Sequence, residues 1–208
     1  DRDIGYGLLR MEYEQKWTPL RLGNPVYAFA LMMLFEWGVM LHDLEYDNVL
    51  KGKRKWSDVK GLVAGWWRKV RGQVAKDYIV HPALTGPLFP LTFAGNLTAN
   101  LVRNVWAFSV IFCGHFPSGA QVFTQEETAE ETRGEWYVRQ MLGSANISGS
   151  PLMHLATGNL SHQIEHHLFP DLPAHRYPEI AGEVRRICAE DGLPYNTGPL
   201  WKQVGSVW

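Results

Sequence analysis

The stretch NLSHQIEHHLFP, residues 159–170, sets three histidines and a glutamate within six residues: His162, Glu165, His166 and His167. On a helix His162 and His166 are four apart and share a face, whereas His167 lies about 100° further round. Two neighbouring imidazoles that diverge suit two metals held side by side better than one tetrahedral site. Glu165 adds a carboxylate able to orient an imidazole through its second nitrogen. Neutral imidazole serves zinc, copper, iron and nickel, so ligand type alone leaves the metal open. A histidine-rich helix without metal, or a structural zinc site short of its fourth ligand, fits the same spacing.

Working outward, two apolar stretches precede this motif. Residues 26–41, VYAFALMMLFEWGVML, carry one charge, Glu36. Sixteen residues of helix cover about 24 Å, short of a bilayer core of about 30 Å, so flanking residues must contribute, with Pro25 suited to a first turn. In residues 82–114 Arg103 is the single Lys, Arg, Asp or Glu, and Pro87 and Pro90 break the start. Helices are expected over about 26–44 and 88–112. Glu36, Asn96, Asn100, Arg103 and Asn104 are expensive in lipid, so they must face a protein interior or a site. Buried helices of a large soluble protein share this hydropathy.

Between these stretches the charge is lopsided. Residues 51–76 hold nine Lys or Arg against one acid, Asp58, so the formal net charge of −1 conceals a basic block carrying Trp56, Trp66 and Trp67. Such a block suits anionic lipid headgroups, a phosphorylated ligand or nucleic acid, or is simply a solvated face. No nucleic-acid motif surrounds it, which argues against nucleic acid as partner. The acidic run Glu126, Glu127, Glu130 and Glu131 reads as a solvated loop or helix start. From residue 177, Ile180, Val184, Ile187 and Cys188 recur at helical spacing and stop near Gly192-Leu193-Pro194. A hydrophobic fraction of 46% over 208 residues excludes disorder as the main state. Two cysteines, Cys113 and Cys188, form no disulfide framework. Asn-x-Ser/Thr triplets at Asn96, Asn146 and Asn159 are read as coincidence.

The segment HQIEHHLFPDLPAHRYPEI, residues 162–180, resembles the third histidine box, (H/Q)xxHH, of the membrane fatty-acid desaturases; here the box is Gln163-Ile-Glu-His166-His167. GLLRMEYEQKW near the start, WRKVRGQVAKDYIVHPALTGP in the middle and NVWAFSVIFCGHFPSG before the acidic run are similar to bacterial acyl-CoA desaturases, so the resemblance covers essentially the whole chain.

The resemblance implies an all-α, integral-membrane helical bundle with a helical cytosolic cap over 113–208 that carries the box. It implies O2-dependent desaturation of a long saturated acyl-CoA, stearoyl of the delta-9 type, by two histidine-ligated irons, fed by a ferredoxin or a flavin/iron–sulfur reductase. Neutral nitrogen ligands hold iron without cancelling its charge, which favours a strongly oxidising centre. His166 and His167 are the expected ligands, His115 of Cys-Gly-His-Phe-Pro is a further one, Gln163 stands where other members have histidine, and His162 is expected beside the ligands rather than among them. Two earlier boxes of the family are missing, since His42 and His81 stand alone; the chain is expected to be the C-terminal part of a desaturase, located in the bacterial plasma membrane with its site facing the cytoplasm. The basic block is expected on the cytosolic side. A fatty-acid or alkane hydroxylase, or a non-enzymatic metal-binding membrane module, is the alternative.

Overall fold

The computed structural model describes residues 17–39, 44, 48–49, 52–123 and 127–207. His42, Lys51, Glu126 and residues 7–16 of GLLRMEYEQKW lie outside the described residues. The chain forms two compact units, Asp1–Ala107 and Phe108–Trp208, and its regular structure is mainly helical.

In the first unit, α1 (Asn24–Met33) carries Pro25 in its first turn, as its fixed φ favours. The chain leaves helical geometry at Leu34 (φ −110°, ψ 23°) and resumes as α2 (Phe35–Gly38). The one helix expected over 26–44 is therefore two short pieces within the described residues. The cause is a side chain inserted into the helical ladder. Asn104 Nδ2 donates to the Met33 carbonyl at 2.7 Å, and its Oδ1 accepts from the Glu36 N–H at 3.4 Å. Ten residues of α1 cover about 15 Å, roughly half a bilayer core.

Four of the nine cations of the basic block, Lys60, Arg68, Lys69 and Arg71, lie exposed on α3 (Trp56–Ala75), whose Val59 and Val70 are buried. The helix continues through a π-helical turn, Lys76–Val80, into α4 (His81–Leu84). Gly86, at φ +57°, turns the chain in a left-handed conformation that glycine adopts without strain. Next comes α5 (Phe89–His115), three residues longer at its C-terminus than expected. Among the described residues, Gly86–His115 is the one helix long and apolar enough to cross a membrane.

Within this unit α3–α4 and the start of α5 run antiparallel from the turn at 85–88. Asn96 Nδ2 donates to the Asp77 carbonyl at 2.6 Å, Asn100 Nδ2 donates to the Tyr78 hydroxyl at 2.9 Å, and the rings of Tyr78 and Phe93 are 5.4 Å apart. A π turn frees a backbone carbonyl, and Asn96 satisfies it. Glu36 pairs with Arg103 and accepts from Gln73 Nε2 at 2.7 Å. The polar side chains of the apolar stretches thus all find partners in the protein, with Asn104 buried and Arg103 half-exposed. The exposed cations of α3 all precede the π-helical turn, with Lys60 the furthest from the turn at 85–88.

The second unit begins with the last turns of α5 and continues through α6 (Arg133–Leu142), β1 (Asn146–Ser148), α7 (Pro151–Ala156), α8 (Gln163–Leu168), α9 (Tyr177–Glu190), β2 (Thr197–Pro199) and α10 (Leu200–Val207). The two strands pair in parallel, Ile147 opposite Gly198. Helix α6 starts in a capping box, Thr132 with Glu135. Arg139 Nε donates to Glu131 at 2.7 Å, so part of the acidic run is an ion-pair partner rather than a solvated loop. One core joins Met141, Ile164, Leu168, Val184 and Cys188; burying one such side chain stabilises by about 1.5–3 kcal/mol. A second joins Val110 and Cys113 of α5 to Ile147. Of the expected stripe on α9, Val184 and Cys188 are buried and Ile187 is exposed. Both cysteines are free thiols.

Candidate metal centre

Helix α8 holds the histidine motif, and its approach is a tight reversal. Gly158 (φ +61°) and Asn159 (φ 62°) both take left-handed conformations, which Gly and Asn tolerate best. His162 therefore precedes the helix, at φ −99° and ψ 60°. Its ring does not share a helical face with that of His166, contrary to the expectation from four-residue spacing. It lies 4.6 Å from the ring of His154, and Ser161 Oγ lies 2.7 Å from His154 Nδ1. Burial, then the neighbouring His154, lowers the His162 pKa.

Three side chains do converge. The amide nitrogen of Gln163 lies 3.0 Å from His115 Nε2 and 3.3 Å from His167 Nε2. Amide nitrogen only donates, so both ring nitrogens present lone pairs to it. The rings of His115 and His167 are 4.9 Å apart and nearly perpendicular. Gly114 makes this approach possible, because a Cβ there would stand 2.8 Å from Gln163 Cγ and 3.0 Å from its Cδ. His166 points elsewhere, its ring 5.7 Å from that of His167 and its Nδ1 2.9 Å from the Tyr177 hydroxyl. Adjacent imidazoles on a helix diverge, as the spacing predicts.

The second nitrogen of His167 is also engaged. Nδ1 is 3.1 Å from Gln140 Oε1, an acceptor only, so Nδ1 carries the hydrogen. Burial, reinforced by His115 and His166, pushes the His167 pKa down to about 3, and burial also lowers that of His166. These imidazoles are neutral at pH 7 and able to ligate. Among the described residues no three His, Cys, Asp or Glu side chains alone are grouped to hold a metal; the Gln163 amide is the third group beside His115 and His167. Only the amide oxygen of Gln163 carries lone pairs for a metal, so its amide must turn over to ligate; the two neutral imidazole lone pairs that face it fit a transition metal.

Glu165 does not orient an imidazole. Fully buried, it accepts from Asn146 Nδ2 and from the Tyr195 hydroxyl, each at 2.8 Å, while Asn146 Oδ1 accepts from the Ile164 N–H at 2.8 Å. It ties α8 to β1 and to the segment before β2. Gln140, Tyr177, Gly114, Asn146 and Tyr195 were invisible to motif reading. Gly114, adjacent to His115, offered the single local signal.

The family profile described as Fatty acid desaturase matches residues 1–199. The chain is 45% identical over 212 residues to the NADPH-dependent stearoyl-CoA 9-desaturase of Mycobacterium tuberculosis (strain ATCC 25618 / H37Rv), covering 100% of this chain and 50% of that protein. It is 31% identical over 184 residues to the fatty acid desaturase 2-like protein FADS2B of Mus musculus, covering 87% of this chain and 33% of the relative. Against the sn-1 linoleoyl-lipid 6-desaturase of Synechocystis sp. (strain ATCC 27184 / PCC 6803 / Kazusa) the identity is 22% over 210 residues, 95% of this chain and 56% of the relative. The chain spans about half the length of the first of these relatives. No solved structure matches it.

Proposed function

The chain belongs to the fatty acid desaturase family, and on that premise we propose that it provides part of the diiron site of an O2-dependent acyl-CoA desaturase that inserts a cis double bond into a long saturated chain such as stearoyl, of the delta-9 type. The observation that carries this reading is the convergence of His115, Gln163 and His167 on one point, all neutral and with ring lone pairs turned inward. His115, His166, His167 and the Gln163 amide are the proposed ligands; His162, against His154, stands outside them. Two irons bound there, with further ligands from the rest of the protein, supply the O2 activation that breaks unactivated C–H bonds. The chain's own side chains hold and orient. Gln140 and Tyr177 fix the rings, Gly114 lets Gln163 approach, and buried Ile164 and Leu168 keep water from the back of α8.

The protein is read as an integral membrane bundle in which Gly86–His115 crosses the bilayer. With the turn at 85–88 on the outer side, Lys53, Lys55 and Lys60, at least 25 residues before that turn, lie on the cytosolic side, where the positive-inside rule puts them. There they meet anionic headgroups or the phosphates of acyl-CoA. Electrons come from a ferredoxin or a flavin/iron–sulfur reductase. The test is to express the full-length protein with its electron donor and follow acyl chains by mass spectrometry. A monounsaturated product two hydrogens lighter is expected. Unchanged saturated chains with iron and O2 present would sink the reading, and a hydroxylated product would replace it with a hydroxylase.

A further inference from the structure

We propose that Gln140 is a positioning residue for the iron-binding face of His167, selecting the tautomer that leaves Nε2 free to ligate; this rests on the diiron reading above. Gln140 Oε1 accepts the Nδ1 hydrogen of His167 at 3.1 Å from the facing helix, α6, 27 residues earlier. With its oxygen toward Nδ1 the Gln140 amide can only accept, and the Gln163 amide nitrogen 3.3 Å from Nε2 agrees with the same tautomer. The hydroxyl of Tyr177 opposite His166 Nδ1 can donate or accept, and so dictates nothing comparable.

The surroundings hold the backbone at Gln140 in place. Its carbonyl accepts from Ser144 Oγ at 2.6 Å, and Arg139 before it is gripped by Glu131. Met141 after it is buried in the core that also contains Ile164 and Leu168 of α8. The backbone from 139 to 141 is therefore anchored, which fixes where the Gln140 side chain starts. Because the partner of His167 is an amide and not a carboxylate, the ring is oriented without the added basicity that a carboxylate confers on a metal-bound imidazole. That preserves the oxidising strength which a neutral ligand set favours.

Two variants of the full-length protein separate this role from simple packing. Gln140→Met keeps the length of the side chain and removes the oxygen acceptor. Gln140→Glu keeps the acceptor and adds charge. Iron retention against a graded chelator, the reduction potential of the centre and the unfolding temperature are measured for each beside wild type. Gln140→Met is expected to lose about 10- to 100-fold in iron affinity while unfolding near the wild-type temperature. Gln140→Glu is expected to keep iron and to show a lower reduction potential than wild type. Wild-type affinity in Gln140→Met, or a potential in Gln140→Glu equal to or above that of wild type, overturns the proposal even if the protein is a diiron desaturase. A wild-type protein that holds no iron at all overturns the diiron reading, and this inference with it.

Discussion

Replacing Gly114 by alanine is expected to destabilise the protein only while Gln163 is present. The added Cβ would stand 2.8, 3.0 and 3.3 Å from Gln163 Cγ, Cδ and Cβ, where ordinary carbon contacts begin near 3.5 Å. Gln163 must then retreat by about 0.5–0.7 Å. Its stem is buried and its amide is engaged with His115 and His167, so it has little room to yield. Overpacking of this kind costs about 1–3 kcal/mol. Against it, alanine in a helix interior is about 1 kcal/mol better than glycine. The net effect in wild type is a loss of up to about 2 kcal/mol, together with weakened metal retention. In a Gln163→Ala background only the 3.3 Å contact with Cβ is left, and the same change should stabilise by up to about 1 kcal/mol. The assay is a double-mutant cycle on the full-length protein in detergent, read by thermal and denaturant unfolding and by iron per polypeptide. A coupling below about 0.5 kcal/mol, the scatter expected of independent sites, would refute the close approach of Gly114 to Gln163.

Glu165→Leu leaves the Tyr195 hydroxyl without its acceptor and Asn146 Nδ2 with that hydroxyl alone, and should cost about 1–3 kcal/mol in urea unfolding, with Glu165→Gln costing less. Burial, then the Glu165 charge, raises the Tyr195 pKa. The unfolded phenol ionises near pH 10 while the folded one stays protonated, so this contribution is whole below about pH 10 and lost as pH rises beyond it. Tyr195→Phe should flatten the alkaline limb of stability against pH. His166→Ala and His167→Ala should each abolish desaturation and lower bound iron, whereas His162→Ala, which touches the His154 side, should be milder; full turnover in His166→Ala would remove that residue from the ligands. A cysteine at Lys55 should react with an impermeant thiol reagent only from the cytosolic side, and labelling from outside would reverse the topology proposed for α3.

Much of the helical framework was legible because helix signals are local. Pro25, the apolar run before His115 and the stripe from residue 177 mark their helices through backbone preference and period alone. The break at Leu34 was not legible, because Asn104, 70 residues away, makes it. Hydropathy sees Asn104 only as a polar residue that must be sheltered, and says nothing of which carbonyl shelters it. The site was half legible for a similar reason. Spacing predicts that His166 and His167 diverge. It wrongly put His162 on the face of His166, because the positive φ of Gly158 and Asn159 ends the preceding turn and the helix starts only at Gln163.

From residues alone came the histidine motif, the resemblance it carries, the basic block and the apolar helix expected over 88–112. These depend on residue identity at short range, where side-chain chemistry and helical period operate without a partner. Packing alone decided that His115 meets a glutamine 48 residues later, that Gln140 presents an oxygen to His167, and that Glu165 serves the scaffold through Asn146 and Tyr195. A tautomer is set by the atom opposite it, and which atom stands opposite is a property of the folded chain.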